Sequence, residues 1–172
     1  WIFFVTLVVL IPYILVACSQ GDKRQIQDKG GKATIYGDNF GVPHIYADTE
    51  DALYFGWGYA IAQDRLYQLE YMRRVAAGTF AEVFGPAYLA FDKDRRMVLK
   101  SDDWYEKSFQ ALSQRKQRNY KAYVDGVNSY IAEAKKDPSK IPIEFGAFGI
   151  ELKTLTTTEV LKITIYLAAY WA

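Results

Sequence analysis

The chain's only histidine, His44, sits in a stretch with a dense set of polar groups, DNFGVPHIYADTEDALYFGWGYAIAQDRLYQLEYMRR, from Asp38 to Arg74. A histidine acting as general base needs a nucleophile and an orienting partner within hydrogen-bond reach. Asp38 stands across a turn from it, but serine and threonine neighbours are few and no Gly-x-Ser-x-Gly elbow occurs. His44 is therefore read as a partly buried, hydrogen-bonded histidine at a strand start. One Cys and one His cannot assemble a zinc site in this chain. Asp92 and Asp94 are split by Lys93 and followed by Arg95 and Arg96, which argues against a cation and predicts a salt-bridged surface or interface strand. Gly56-Trp57-Gly58 lies inside a helical pattern and makes no phosphate loop. What remains is Gln63, Asp64, Arg65, Gln68, Glu70, Arg73 and Arg74. Glu70 and Arg74 form an i,i+4 pair, worth about 0.3–0.5 kcal/mol if exposed. If buried, the set must close into a satisfied network, because an unpaired buried charge is very costly. Partial burial and a structural role are expected. No catalytic residue and no metal ligand set is assigned to this chain.

Flanking elements must position that run. Thr34-Ile35-Tyr36 and His44-Ile45-Tyr46 are β-branched and aromatic, and Gly37-Asp38-Asn39-Phe40-Gly41 between them is a cluster of turn formers. The pattern predicts a β-hairpin over 33–47, with Pro43 at a strand start where a missing N–H is tolerated. A long helix follows, capped by Asp48 or Thr49, with Glu50 and Asp51 in its first turn. Phe55, Tyr59, Ala62, Leu66, Leu69, Met72 and Ala76 give it one apolar stripe. Gly56 and Gly58 weaken it by about 1 kcal/mol each relative to Ala, which points to close approach of another backbone. Gly78 is its expected stop. Thr79 to Gly85 reads as a short amphipathic turn and Asp103 to Leu112 as a short helix. A longer helix capped by Ser113 runs to Lys136 and ends at Asp137-Pro138. Ile141 to Leu152 reads as a loop. Thr156 and Glu159, in capping-box spacing, open a last helix that is apolar from Val160 onward. The fold class is α+β: mostly helical, with an N-terminal β-hairpin.

The 172 residues suit one ordinary domain, and 51% hydrophobic content supports a real core. With 21 basic and 20 acidic residues, nothing argues for nucleic acid. One cysteine excludes an intrachain disulfide. Trp1 to Ala17 carries no charge. It is short for a bilayer span of about 20 residues and reads as the apolar region of a secretory signal. Leu15-Val16-Ala17-Cys18 resembles the lipobox of bacterial lipoproteins, which predicts lipidation of Cys18; a plain membrane anchor with an incidental cysteine is the alternative. Lacking an initiating Met, the sequence is expected to begin inside its signal, and the last helix is expected to run past Ala172. Ser19 to Lys32 (SQGDKRQIQDKGGK) reads as a poorly ordered tether. The expected organisation is a signal over 1–17, a tether over 18–32 and a domain over 33–172. The protein is expected outside the inner membrane, periplasmic or on the cell surface, held by a lipid anchor.

Several stretches resemble, in order, the α-subunit of penicillin G acylases, which are N-terminal-nucleophile hydrolases. They are Asp38 with Gly41 and Val42-Pro43-His44-Ile45-Tyr46-Ala47; Gly56, Gly58-Tyr59, Ala62-Gln63-Asp64-Arg65-Leu66, Gln68 and Glu70; and Gly78-Thr79, Ala81-Glu82-Val83 and Gly85. Phe91-Asp92-Lys93-Asp94 with Arg96, Asp125-Gly126 with Asn128, and Phe145 with Phe148-Gly149 continue the series. The resemblance implies a part of a four-layer αββα sandwich and a secreted precursor that cleaves itself. It implies a β-subunit partner that begins with a nucleophilic serine, so this chain alone is expected to be inactive. It implies a small N-acyl amide substrate, and calcium, where present, bound outside this chain. Gln63, Asp64, Arg65 and Glu70 would hold the two subunits together. Tyr170 and Trp171 are the candidates for a pocket wall, although Leu167 to Ala172 departs from the family's methionine, arginine and phenylalanine there. A homoserine-lactone-type acylase and a non-enzymatic lipid-anchored module, or gene remnant, are the competing readings.

Overall fold

The computed structural model describes residues 23–28 and 30–170. The predicted signal, Cys18 and Trp171 lie outside them. Among the described residues no helix is long and apolar enough to cross a membrane.

Three antiparallel strands open the fold, β1 (Lys23–Asp28), β2 (Gly31–Gly37) and β3 (Pro43–Ala47), side by side in that order. The predicted hairpin is β2–β3, with Tyr36 opposite His44 and Gly37 opposite Pro43. The predicted tether is corrected in part, because Lys23–Asp28 pairs with β2. The physical reason is a period of two. Arg24 and Ile26 are half-buried while Lys23, Gln25 and Gln27 are exposed. Ile26 packs on the main core, and Arg24 Nη1 donates to the Tyr59 hydroxyl at 2.7 Å.

Helix α1 (Glu50–Ala77) is the spine of the fold. Thr49 caps it, its side chain accepting from Ala52 N at 3.1 Å. Gly78, at φ 64°, ends it in the left-handed conformation that glycine adopts freely. Helix α5 (Gln114–Lys136), capped by Ser113, crosses it. The crossing is backbone on backbone. A methyl group at Gly58 would lie 2.0 Å from the Tyr123 carbonyl oxygen, and one at Gly126 would lie 2.0 Å from the Phe55 carbonyl oxygen. Around this point Tyr59, Val127, Ile131 and Ala134 are sealed from solvent.

Shorter helices fill in: α2 (Ala81–Phe84), α3 (Leu89–Val98), α4 (Asp102–Gln110), α6 (Ile143–Ala147) and α7 (Thr157–Tyr170). The stretch 79–85, read as a turn, thus contains a helical turn, and the loop 141–152 holds α6. The interface strand expected around Asp92–Arg96 is instead helix α3. Asp92 is buried at its inner side, where Oδ1 accepts from Phe80 N (2.9 Å) and Oδ2 from Ala81 N (2.7 Å). A carboxylate serving two amides of another segment needs no ion pair and no strand partner. The capping box at α7 forms as its spacing requires: Thr156 N donates to Glu159 Oε2 at 2.8 Å, and Glu159 N to Thr156 Oγ1 at 3.2 Å.

The α1–α5 crossing generates a prediction. Helix propensity favours Ala over Gly by about 1 kcal/mol, whereas overpacking costs about 1–3 kcal/mol or more. A backbone carbonyl cannot turn aside as a side chain can, so the clash dominates. Gly58→Ala in the full-length protein should lower stability by about 2 kcal/mol or more, read from urea denaturation. Gly146→Ala, whose methyl group would meet nothing within 4 Å, should leave it unchanged or slightly raised.

Candidate functional site

His44 lies in β3 and is exposed, against the partial burial expected of it; its Nε2 is 3.1 Å from Asp38 Oδ2. Asp38 Oδ1 also accepts from Phe40 N (2.9 Å) and Val42 N (2.8 Å). The amide of Val42, then His44, hold the Asp38 carboxyl below its ordinary 3.8. The pair closes the β2–β3 loop, with both carboxylate oxygens engaged in holding that loop's shape.

The polar set of α1 separates into two groups. Glu70 is 6% exposed, buried more fully than the partial burial expected of the polar set. It accepts from Arg73 Nε at 2.8 Å and from Arg74 Nε at 2.7 Å. Arg73 reaches on to Glu159 (3.2 Å) at the start of α7, and Arg74 to Glu82 (3.4 Å) in α2. This is the closed network that burial demands, and it fixes the starts of α2 and α7 against the spine. By contrast Asp64 and Arg65 are exposed and Gln63 is half-buried, so the partial burial expected of this triplet holds for Gln63 alone within this chain. Arg65 Nη1 contacts Gln68 of its own helix at 3.4 Å. At Arg65 the backbone leaves the helical region (φ −135°, ψ 26°), a break with no proline or glycine at that point.

Two polar clusters were not legible in the sequence. Glu133 Oε2 accepts from Tyr59 OH (2.9 Å) and Lys140 Nζ (3.0 Å). Burial opposes its charge, but Lys140 and Tyr59 outweigh that and lower its pKa. Asn128 makes a reciprocal pair with Leu155, Nδ2 to the carbonyl and Oδ1 from the amide, both 2.8 Å. Each cluster joins residues far apart in the chain, so no local spacing announces it. Among the described residues no three or more His, Cys, Asp or Glu come together in a way that could hold a metal ion. A concavity of about 410 Å³ lies beside Asp92, between Pro86 and Arg96. Tyr170 is 69% exposed at the end of α7.

The penicillin amidase family profile matches residues 32–171. The chain is 37% identical over 128 residues to the penicillin G acylase of Escherichia coli, covering 74% of this chain and 15% of that protein. It is 37% identical over 114 residues to the penicillin acylase 2 proenzyme of a Pseudomonas species, covering 66% of this chain and 14% of that protein. An acyl-homoserine lactone acylase of Pseudomonas aeruginosa is 33% identical over 109 residues, with 63% of this chain and 12% of that protein covered. The chain thus spans about one seventh of the length of the first two relatives. The solved thermostable penicillin G acylase of Alcaligenes faecalis superposes with a TM-score of 0.71 at 31% identity, over 88% of this chain and 74% of that one. The fold is that of a segment of an N-terminal-nucleophile hydrolase, mostly helical with a small N-terminal sheet. Within that class, the chain belongs to the penicillin amidase family, hydrolases of the amidase type.

Two outcomes follow for the polar groups. Glu70→Ala leaves two largely buried guanidinium groups sharing one fewer carboxylate and should cost about 3 kcal/mol, the lower end for a broken buried pair because Glu159 and Glu82 remain. Arg115→Ala removes the exposed bidentate contact to Glu50 (2.8 Å for its shorter bonds) and should cost under about 1 kcal/mol. Urea denaturation of the full-length variants reads both. In pH, Asp38, Glu50, Glu133 and Asp137 all have carboxyl pKa values lowered by folding. Their contribution is complete above the unfolded values of 3.8 and 4.5 and is lost as pH falls through the lower folded ones. Burial raises Tyr59, Tyr123 and Tyr130 above 10.0, so stability is lost again as pH rises past that value. Melting temperature plotted against pH should be flat near neutrality and fall below about 4 and above about 10.

Proposed function

We propose that the chain is the α-subunit part of an amide hydrolase that removes the acyl side chain of penicillins or related N-acyl compounds. The observation that carries this reading is the ordered family match across residues 32–171. In this reading the nucleophile is a serine at the start of a β-subunit from the same precursor, and its own α-amine takes the proton. Attack on the amide carbonyl gives a tetrahedral oxyanion held by preorganised N–H donors, and the acyl-enzyme is then hydrolysed. The role of this chain is to hold that machinery in place: His44 and Asp38 are spent on a loop, and Glu70 on a structural network. Asp64 and Arg65 are exposed in this chain, as residues meant for a second polypeptide would be. Tyr170, with Trp171 beyond it, would form one wall of the acyl pocket, completed by the β-subunit. Calcium, where present, would be held outside this chain. The similarity to an acyl-homoserine lactone acylase favours a second reading, with the amide of an N-acyl-homoserine lactone as the bond cleaved. The apolar run ending at Ala17-Cys18 supports export and a lipid on Cys18, placing the enzyme in the periplasm or at the cell surface.

The test is hydrolysis by the full-length precursor product. A chromogenic phenylacetyl amide should be cleaved by the processed enzyme and not by residues 1–172 alone; turnover by the isolated chain would defeat the assignment of the nucleophile. Faster cleavage of long-chain acyl-homoserine lactones than of the phenylacetyl amide would select the second reading. Arg65→Ala should reduce the yield of processed enzyme more than the turnover of whatever mature enzyme forms. Undiminished processing on a denaturing gel would remove Arg65 from the subunit contact.

A further inference from the structure

The start of the sheet constrains how the protein sits relative to a membrane. β1 begins at Lys23, so only Ser19 to Asp22 separate it from Cys18. Five residue steps, fully extended, reach at most about 17 Å. A lipid on Cys18 would therefore hold the leading end of the sheet within that distance of the bilayer surface. The strand register identifies what else lies at that end. Lys23 is opposite Tyr36, and Tyr36 is opposite His44. The β2–β3 loop, residues 38–42, consequently projects from the same end of the sheet as the attachment point, two strand spacings or about 10 Å across.

That loop carries apolar groups that the fold does not use. Phe40 is 91% exposed and Val42 50%. Behind them Tyr36 and Tyr46 meet edge to face at 5.7 Å on the outer face of the sheet, and Tyr46 is 65% exposed. Lys23 Nζ stands 5.2 Å from the Tyr36 ring centre. The loop's carboxylate, Asp38, is engaged by two loop amides and His44, so the tip is held in one shape. A rigid apolar tip with tyrosines and a lysine behind it has the composition of a membrane-interface contact, where amphipathic rings lie at headgroup depth.

We propose that the β2–β3 loop is a second membrane contact: Phe40 and Val42 insert at the headgroup–acyl boundary beside the Cys18 lipid and set the orientation of the enzyme on the bilayer. The proposal rests on the lipid-anchor reading. A lipid reached through a short flexible linker fixes distance from the bilayer and leaves orientation free; the loop tip, fixed by the fold, supplies the apolar contact that sets it.

The experiment uses the full-length protein carrying Phe40→Cys, labelled there with an environment-sensitive nitrobenzoxadiazole dye and reconstituted into vesicles of phosphatidylethanolamine and phosphatidylglycerol. Lys116→Cys, exposed in the first turn of α5 beside Arg115, whose bond to Glu50 puts it by the opposite end of the sheet, is the reference site. Mass spectrometry of the N-terminal peptide establishes the lipid on Cys18. With the lipid present, emission from position 40 should be blue-shifted and several-fold brighter on vesicles than in detergent-free buffer, and quenched by spin-labelled lipid, while position 116 is unchanged. A lipidated protein whose position 40 responds no more than position 116 overturns the loop contact and leaves the anchor standing. A dye at position 40 equally shielded without vesicles also overturns it, and shows that the rest of the polypeptide covers the tip. A Cys18 without lipid overturns both, because the reach argument goes with it.

Discussion

Everything else in this fold depends on two glycines. At the α1–α5 crossing Gly58 faces the Tyr123 carbonyl and Gly126 faces the Phe55 carbonyl, each with no room for a methyl group. Glycine in a helix interior costs about 1 kcal/mol, and the return is an approach that other residues forbid. Because the backbones touch, the aromatic rings on either side meet: Trp57 with Tyr123 at 5.2 Å and Tyr59 with Tyr130 at 5.5 Å. The Tyr59 hydroxyl then accepts from Arg24 of β1 and donates to Glu133 of α5. One close contact thereby ties the sheet, the spine and the second long helix into a single core.

A second constraint acts at the far end of the spine. Burial of Glu70 would be costly without partners, and the two arginines that follow it supply them from one face of the helix. Their remaining donors reach Glu82 and Glu159. Glu159 is already the third residue of a capping box, so the helix it opens is positioned and capped by the same carboxylate. The network converts a local feature of α1 into the placement of α7.

Local chemistry in the sequence announced the long helices, caps at Ser113 and Thr156, a first cap at Asp48 or Thr49 that the structure resolves to Thr49, the stop at Gly78 and the hairpin. Each of these rests on residues within a few positions of one another. The failures share the opposite property. β1 was hidden because its inward face carries one aliphatic residue, Ile26, and an arginine; it is held by pairing with β2, and Tyr59, 35 residues from Arg24, receives that arginine. Asp92 was surrounded by charges and looked superficial, yet its partners are the amides of residues 80 and 81. Glu70's pairing with Arg74 was legible, but the outer partners of its network, Glu82 and Glu159, are too far from it in sequence to be named. The candidate site was legible only as an absence of nucleophile and base, and the family resemblance supplied its meaning.

The residues that carry that resemblance can now be sorted by what they touch. Gly58 and Gly126 admit a backbone, Gly78 ends a helix, Asp92 and Asn128 satisfy amides and a carbonyl of distant segments, and Asp38 closes a loop. All of these serve the main chain, whose buried polar groups must be satisfied wherever side chains vary. Such residues cannot be exchanged for others of similar polarity, because each matches the position of a backbone group. Distinctive motifs can therefore mark the support of a main chain as readily as they mark a catalytic set. Asp64 and Arg65 differ from these: they are exposed, and Arg65 stands at a break in the helix with only Gln68 as its hydrogen-bond partner among the described residues, so neither is held by the internal structure as Asp92 and Asn128 are.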